Sequence, residues 1–147
     1  MTPPKITMYA ADDPALWALV GPLLTARAVV REMGGYPLYS DDAVAWWVAT
    51  VRGKAVGIAC LKHGKDGYWE DNDYVRPDHR HKGVHLSLCA ARTRHLATLE
   101  PGPLNVCCRS ARWKHYARRG FAETARKGDW VYGRKPAAPR PEPEETT

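Results

Sequence analysis

Apolar residues along this chain recur with a period of two in some stretches and near four in others. Residues 44–51 (VAWWVATV) and 55–61 (AVGIACL) flank Arg52-Gly53-Lys54, the pattern of an antiparallel hairpin. YWEDNDYV, residues 68–75, follows a turn at Lys65-Asp66-Gly67 and reads as the next strand of the same sheet. ITMYA (6–10) predicts a short first strand and LNVCC (104–108) a fifth. FAETA (121–125) and WVYGR (130–134) form a closing hairpin around Lys127-Gly128-Asp129.

Helices fill the intervals. Asp13 followed by Pro14 predicts an N-cap with proline at the first helical position. The helix after it is expected to kink or restart at Gly21-Pro22, where proline removes a backbone donor, and to stop at Gly34-Gly35. A second helix opens near Lys82 or Gly83 and runs to about Leu99, before Pro101-Gly102-Pro103. Val84, Leu88, Ala91, His95 and Leu99 lie near one of its faces. SARWKHYARRG predicts a third helix with Ser110 as its cap and Gly120 as its stop.

At 147 residues the chain suits one domain with a proper core, over 1–135. The proline- and glutamate-rich segment 136–147 is expected to be a disordered tail. There are no internal repeats. No apolar run approaches the roughly 20 residues that span a bilayer, and the N-terminus lacks a secretory layout. Cys60, Cys89, Cys107 and Cys108 follow no metal-ligand spacing. The expectation is a reduced, cytoplasmic protein without a membrane partner.

Charge changes that picture. The net charge is +6, but residues 1–75 hold 7 Lys/Arg against 9 Asp/Glu, and residues 76–135 hold 14 against 4. Such asymmetry implies an anionic partner, either a phosphorylated cofactor or nucleic acid. The basic half begins at VRPDHRHKGVHLSL, where Arg76, His79, Arg80, His81 and Lys82 crowd a predicted helix N-terminus. That end already carries about half a positive charge and free N–H groups, so the crowding makes sense if an anion rests there. Gly83 lets a ligand approach the backbone, and Arg80 and Lys82 add charge-assisted contacts.

RHKGVH resembles the Arg/Gln-x-x-Gly-x-Gly/Ala pyrophosphate loop of the GCN5-related N-acetyltransferases, with Arg80 and Gly83 matching. YVRPDHRHKGV resembles that family's phrase at the end of the fourth strand, through Val75 and Pro77. YARRGF matches its Tyr-x-x-x-Gly-Phe signature at Tyr116, Gly120 and Phe121. The element order agrees as far as about Arg134. The resemblance implies an α+β fold: a mostly antiparallel sheet of six to seven strands, flanked by helices and splayed at the fourth. It also implies acetyl-coenzyme A as co-substrate, held by Tyr74, Val75, Arg80, His81, Lys82, Gly83, Val84 and His85. Dimers are common in that family, so a homodimer is an open expectation. Three positions depart from its pattern: His85 replaces Gly or Ala, Arg109 stands where many members carry Asn, and Asp73 takes a usually apolar place.

Acetyl transfer needs a neutral amine, a polarised carbonyl and a proton for the departing thiolate. The resemblance assigns the proton to Tyr116 and carbonyl polarisation to the backbone around Tyr74 and Val75. Strand alternation predicts that Asp71 and Asp73 share a face about 7 Å apart, with Glu70 and Asn72 on the other. Asp73 and Asp71 are the favoured bases and Glu70 the reserve. A metal held by His79, His81, His85 and Cys89 is disfavoured by Arg80 and Lys82 beside them, so no metal is expected. His95 is expected to be a core histidine. Trp46, Trp47, Trp69 and Trp113 belong to the core or to the wall of an acceptor cleft. The acceptor is a small-molecule or protein amine. The alternative reading is a nucleic-acid-binding or DNA-base-modifying protein that uses the basic half, with Arg112, Lys114, Arg118 and Arg119 as its surface.

Overall fold

The structure is a computed structural model that describes residues 3–34 and 43–137. Among these residues the seven strands and the helices follow one another in the predicted order, with two 3-10 turns added and the first helix divided in two. Strands β1 (Lys5–Tyr9), β2 (Ala43–Val51), β3 (Lys54–Gly64), β4 (Gly67–Val75), β5 (Leu104–Arg109), β6 (Ala122–Lys127) and β7 (Trp130–Lys135) build one sheet, in the order β1-β2-β3-β4-β5-β7-β6. All neighbours are antiparallel except β4 and β5. Helices α1 (Pro14–Leu24) and α2 (Arg27–Glu32) cover one face; α3 (Val84–Leu96) and α4 (Trp113–Arg118) cover the other. Two 3-10 turns, Pro77–His79 and Ser110–Arg112, precede α3 and α4.

Each face has its own core. Trp46, Val48, Ile58, Cys60 and Tyr74 meet Leu16, Val20 and Leu24 beneath α1. Trp47, Ala59, Leu61, Val75 and Val106 meet Val84, Leu88 and Tyr116 beneath α3 and α4. The adjacent tryptophans of β2 thus serve opposite faces, as pleating requires. Gly57 brings α3 close to the sheet, because a Cβ there would lie 3.0 Å from Val84 Cγ1 and 3.2 Å from a Leu88 methyl. His95, expected to be a core histidine, is half-buried and packs edge-on against Trp47.

The helices depart from expectation in three places. Asp13 caps α1 through the Ala15 N–H at 2.9 Å, but the helix runs through Pro22 and breaks at Thr25–Ala26. Pro22 lies in the last turn, so it costs one hydrogen bond near an end already being closed. There Thr25 N–H and Oγ1 both donate to Gly21 O. Gly34 follows α2 with φ +106; Gly35 lies outside the described residues. Ser110 caps nothing: its hydroxyl and amide donate to Asp129 at the β6–β7 turn, and α4 begins three residues later. Helix α3 ends at Leu96, where Thr98 Oγ1 takes the His95 carbonyl at 2.7 Å. Apart from Pro136 and Ala137, the expected tail lies outside the described residues. Among those residues, no helix is long and apolar enough to cross a membrane.

Candidate active site

The loop from β4 into α3 has the shape that its glycine suggests. His81 and Gly83 both take positive φ, +61 and +82, and α3 starts at Val84. No side chain caps that helix, and its first turn holds no acid. A Cβ on Gly83 would meet nothing within 4 Å, so the surface over the first amides is open. The cations divide their tasks. Arg80 Nε donates to Val75 O at 2.8 Å and Nη2 to Glu32 at 2.6 Å, while the guanidinium lies over the Tyr74 ring. It therefore ties the loop to β4 and α2. Lys82 reaches back to Asp78 O at 3.0 Å, and its exposed ammonium stays beside the helix end.

Strands β4 and β5 share only two paired positions, Tyr68↔Leu104 and Trp69↔Asn105. Asn105 secures this short junction by donating to Asp66 O and Tyr68 O. Beyond it the strands part. Within β4, Asn72 takes φ +55, and the register against β3 slips between Ile58↔Tyr74 and Cys60↔Asp71. This β-bulge reverses the parity of every later side chain. Asp71 and Asp73 therefore do not share a face. Glu70 and Asp73 do, both pointing beneath α3, and Asn72 turns the other way onto Cys60 Sγ.

The pair is joined by Arg92 of α3, which is 1% exposed. Its guanidinium gives Nη1 to Asp73 Oδ1 at 2.5 Å and Nη2 to Asp73 Oδ2 at 2.8 Å and Glu70 Oε1 at 2.9 Å. Arg119, just past α4, grips Glu70 with two further bonds at 2.8 and 2.7 Å. His85 Nε2 lies 3.0 Å from Asp73 Oδ2 and 3.4 Å from Cys89 Sγ. Burial alone would raise the Asp73 pKa, but the Arg92 charge and hydrogen bonds, with His85, hold it well below the usual carboxylate range. The same contact to Asp73 lifts His85 to about 10. Tyr116 is pushed well above the ordinary phenol by burial, and by Asp73 and Glu70.

The oxygens of Glu70 and Asp73 are thus taken up by guanidinium groups, and neither carboxylate stands open to an incoming amine. Asp71 is different. It bonds Lys62 at 3.0 Å, is 43% exposed at its side chain, and lines an open cleft of about 400 Å³ with Lys62, Trp69, Glu70, Cys107 and Tyr132. Asp73, His85 and Cys89 bring three potential metal-ligand atoms within 4.8 Å of one another. Arg92 on both Asp73 oxygens already supplies the positive charge at that point. Nor are Cys89, His85 and Asp73 a nucleophile relay, since thiol and carboxylate address the same ring nitrogen.

Three residues of this cluster escaped sequence reasoning. Arg92 follows Val84 and Leu88 at helical spacing on the apolar face of α3, which was the available signal. His115 lies beside both His85 and Tyr116, with ring centroids 5.5 and 5.1 Å away, and its buried Nε2 has no hydrogen-bond partner among the described residues. Burial and the positive charge of His85 keep its pKa below the ordinary value. Arg119 was assigned to an exposed basic surface, but it serves Glu70 instead. Arg112, Lys114 and Arg118 remain exposed. Arg109 pairs with Asp129 and stacks on Trp130, away from the cluster.

No family model and no curated protein matches the sequence. Solved structures do match the fold. ElaA of Escherichia coli superposes with a TM-score of 0.74 at 13% identity, covering 90% of this chain and 99% of its own. An acyl-CoA N-acyltransferase from Pseudomonas aeruginosa gives 0.71 at 15% identity, with the same coverages. The ribosomal-protein-S18-alanine N-acetyltransferase of Escherichia coli gives 0.67 at 15%, covering 94% and 97%. The fold is that of the GCN5-related N-acetyltransferases, seven-stranded and open, as the sequence resemblance implied.

Proposed function

We propose that this chain is an N-acetyltransferase that moves an acetyl group from acetyl-coenzyme A to an amine by direct attack. One observation carries the reading: an uncapped helix N-terminus, approached by an open glycine loop with a basic side chain beside it, stands at the end of a strand whose neighbour has diverged. The coenzyme diphosphate would rest on the amides of Gly83, Val84 and His85, with Lys82 and His81 at its flank and Arg80 holding the loop in shape. The pantetheine arm would enter the gap past Trp69, where β5 no longer pairs with the edge of β4. Backbone groups near Tyr74 and Val75 would address the thioester there. Names among the similar structures, an acyl-CoA N-acyltransferase and an N-acetyltransferase, agree with this chemistry.

The amine would arrive through the cleft on the other side of β4, where Asp71 can take up its proton directly or through water. Trp69 and Tyr132 offer that amine an apolar wall. Tyr116, held so firmly protonated, serves the sulfur as a hydrogen-bond donor.

Two measurements test this reading. Coenzyme A should raise the melting temperature by mass action, and Gly83→Glu should abolish the rise, because a carboxylate at φ +82 repels the diphosphate. Acetyl-coenzyme A mixed with a panel of small amines and peptides should release free thiol with at least one of them. The absence of stabilisation at millimolar coenzyme A would overturn the proposal.

A further inference from the structure

The ionic cluster beneath α3 is richer than holding the fold requires. Arg92, Arg119 and a protonated His85 bring three positive charges to two carboxylates, Glu70 and Asp73, which leaves one in excess. An unbalanced charge in a half-buried gap is costly unless something there is negative. His85 carries the excess. Its Nε2 is committed to Asp73 and lies near Cys89, whereas its Nδ1 takes part in none of the hydrogen bonds made by the described residues. The ring lies against His115 of α4, with centroids 5.5 Å apart, and His115 in turn touches the Tyr116 ring. A carboxylate orienting one imidazole nitrogen while the other is left without a protein partner is the arrangement of an acid–base histidine.

We infer that His85, oriented by Asp73, is the proton donor to the thiolate that leaves during acetyl transfer, and that Tyr116 is not. This rests on the acetyltransferase reading. The amine nitrogen bonds to the thioester carbon, the carbon–sulfur bond breaks, and sulfur keeps the electron pair. The Nδ1 proton of His85 passes to sulfur, and the amine's own proton leaves to Asp71 or water. Solvent then reprotonates His85. Energetic matching supports the assignment. A proton passes from an imidazolium near 10 to a thiolate whose conjugate acid has a pKa of about 8.5 moderately uphill, but from a phenol raised well beyond its ordinary range far more steeply uphill. The groups that face His85 are Asp73 from β4, Cys89 and Arg92 from α3, and His115 from α4. Asp73 stabilises the protonated ring, and the neutral His115 does not compete with it.

A test that needs no acceptor titrates the thiol of bound coenzyme A by its thiolate absorbance. In the wild type the bound thiol should titrate about one pH unit or more below free coenzyme A, because a cation stands beside it. In His85→Gln that shift should vanish, and in Tyr116→Phe it should persist. With any amine the wild type acetylates, His85→Gln should lower kcat by about 10²-fold or more and remove the basic limb of its pH profile, leaving KM for acetyl-coenzyme A within a few-fold. Tyr116→Phe should cost less than about tenfold. His85→Ala partly rescued by free imidazole would exclude a folding defect as the cause. An unshifted bound thiol in the wild type, or equal shifts in wild type and His85→Gln, overturns the inference. So does a larger kcat loss in Tyr116→Phe than in His85→Gln. A wild type that neither binds coenzyme A nor releases thiol overturns the acetyltransferase reading itself, a distinguishable outcome.

Discussion

Replacing Arg92 by methionine isolates the energetic centre of the molecule. Methionine can fill much of the space vacated by the arginine stem, so the main change is the loss of a charge that bonds Asp73, Glu70 and Cys60 O. Removing one partner of a buried ion pair costs about 3–5 kcal/mol, since the stranded charge remains desolvated. Here Glu70 keeps Arg119 and Asp73 keeps His85, which places the cost near the low end, about 3 kcal/mol. For a chain of this size that corresponds to a fall in Tm of about 6–12 °C. Urea denaturation at pH 5 and pH 8 provides the sharper reading. In the wild type the depressed Asp73 pKa contributes stability above the unfolded value of 3.8 and loses it as pH falls further, so both pH values lie on its plateau. Without Arg92, burial raises the Asp73 pKa, and protonation at pH 5 relieves part of the penalty. The cost of Arg92→Met should therefore be smaller at pH 5 than at pH 8. The double variant with Asp73→Asn should lose at least about 1 kcal/mol less than the two single losses combined. A variant within about 1 kcal/mol of wild type at pH 8, or strictly additive losses, would refute the reasoning.

Other consequences are simpler. The His85 pKa is raised from 6.5 to about 10, so its share of stability is complete below pH 6.5 and lost as pH climbs towards 10. Urea midpoints at pH 6.5 and pH 10 should diverge more for wild type than for His85→Gln. Gly57→Ala should cost about 1–3 kcal/mol by pushing α3 off the sheet, read by thermal melting. Asn72→Val should destabilise by about 1–3 kcal/mol, and Asn72→Gly much less, because only the former resists φ +55. Asp71→Asn should lower kcat by at least about 10²-fold with little change in Tm, since the half-exposed side chain loses its Lys62 pair while the asparagine Oδ1 can still accept from the Asn72 N–H.

Much of the sheet could be read from the chain because β2 and β3 are largely apolar runs and glycine turns separate β2 from β3, β3 from β4 and β6 from β7, and local pattern decides such segments. The loop before Val84 was legible for a different reason: cations gathered on a helix N-terminus contradict the dipole unless an anion is expected there. The bulge was not legible. In Glu70-Asp71-Asn72-Asp73 every residue is polar, so no apolar alternation marks where the parity changes, and a residue inserted there leaves no trace in composition. Arg118 and Arg119 look identical on paper, but only the second reaches Glu70. Ser110 had the right chemistry for a cap, and Asp129, nineteen residues away, took its hydroxyl. The break after α1 was misplaced because proline in a last turn does little harm, while Thr25 closes the helix with its own hydroxyl.

Backbone amide shifts on adding coenzyme A test the central claim most directly, since that claim concerns amides. The N–H signals of Gly83, Val84 and His85 should move strongly with coenzyme A and only weakly with pantetheine, which lacks the diphosphate. Shifts of equal size for both compounds at those residues, or none there while others respond, would contradict a diphosphate resting on the start of α3.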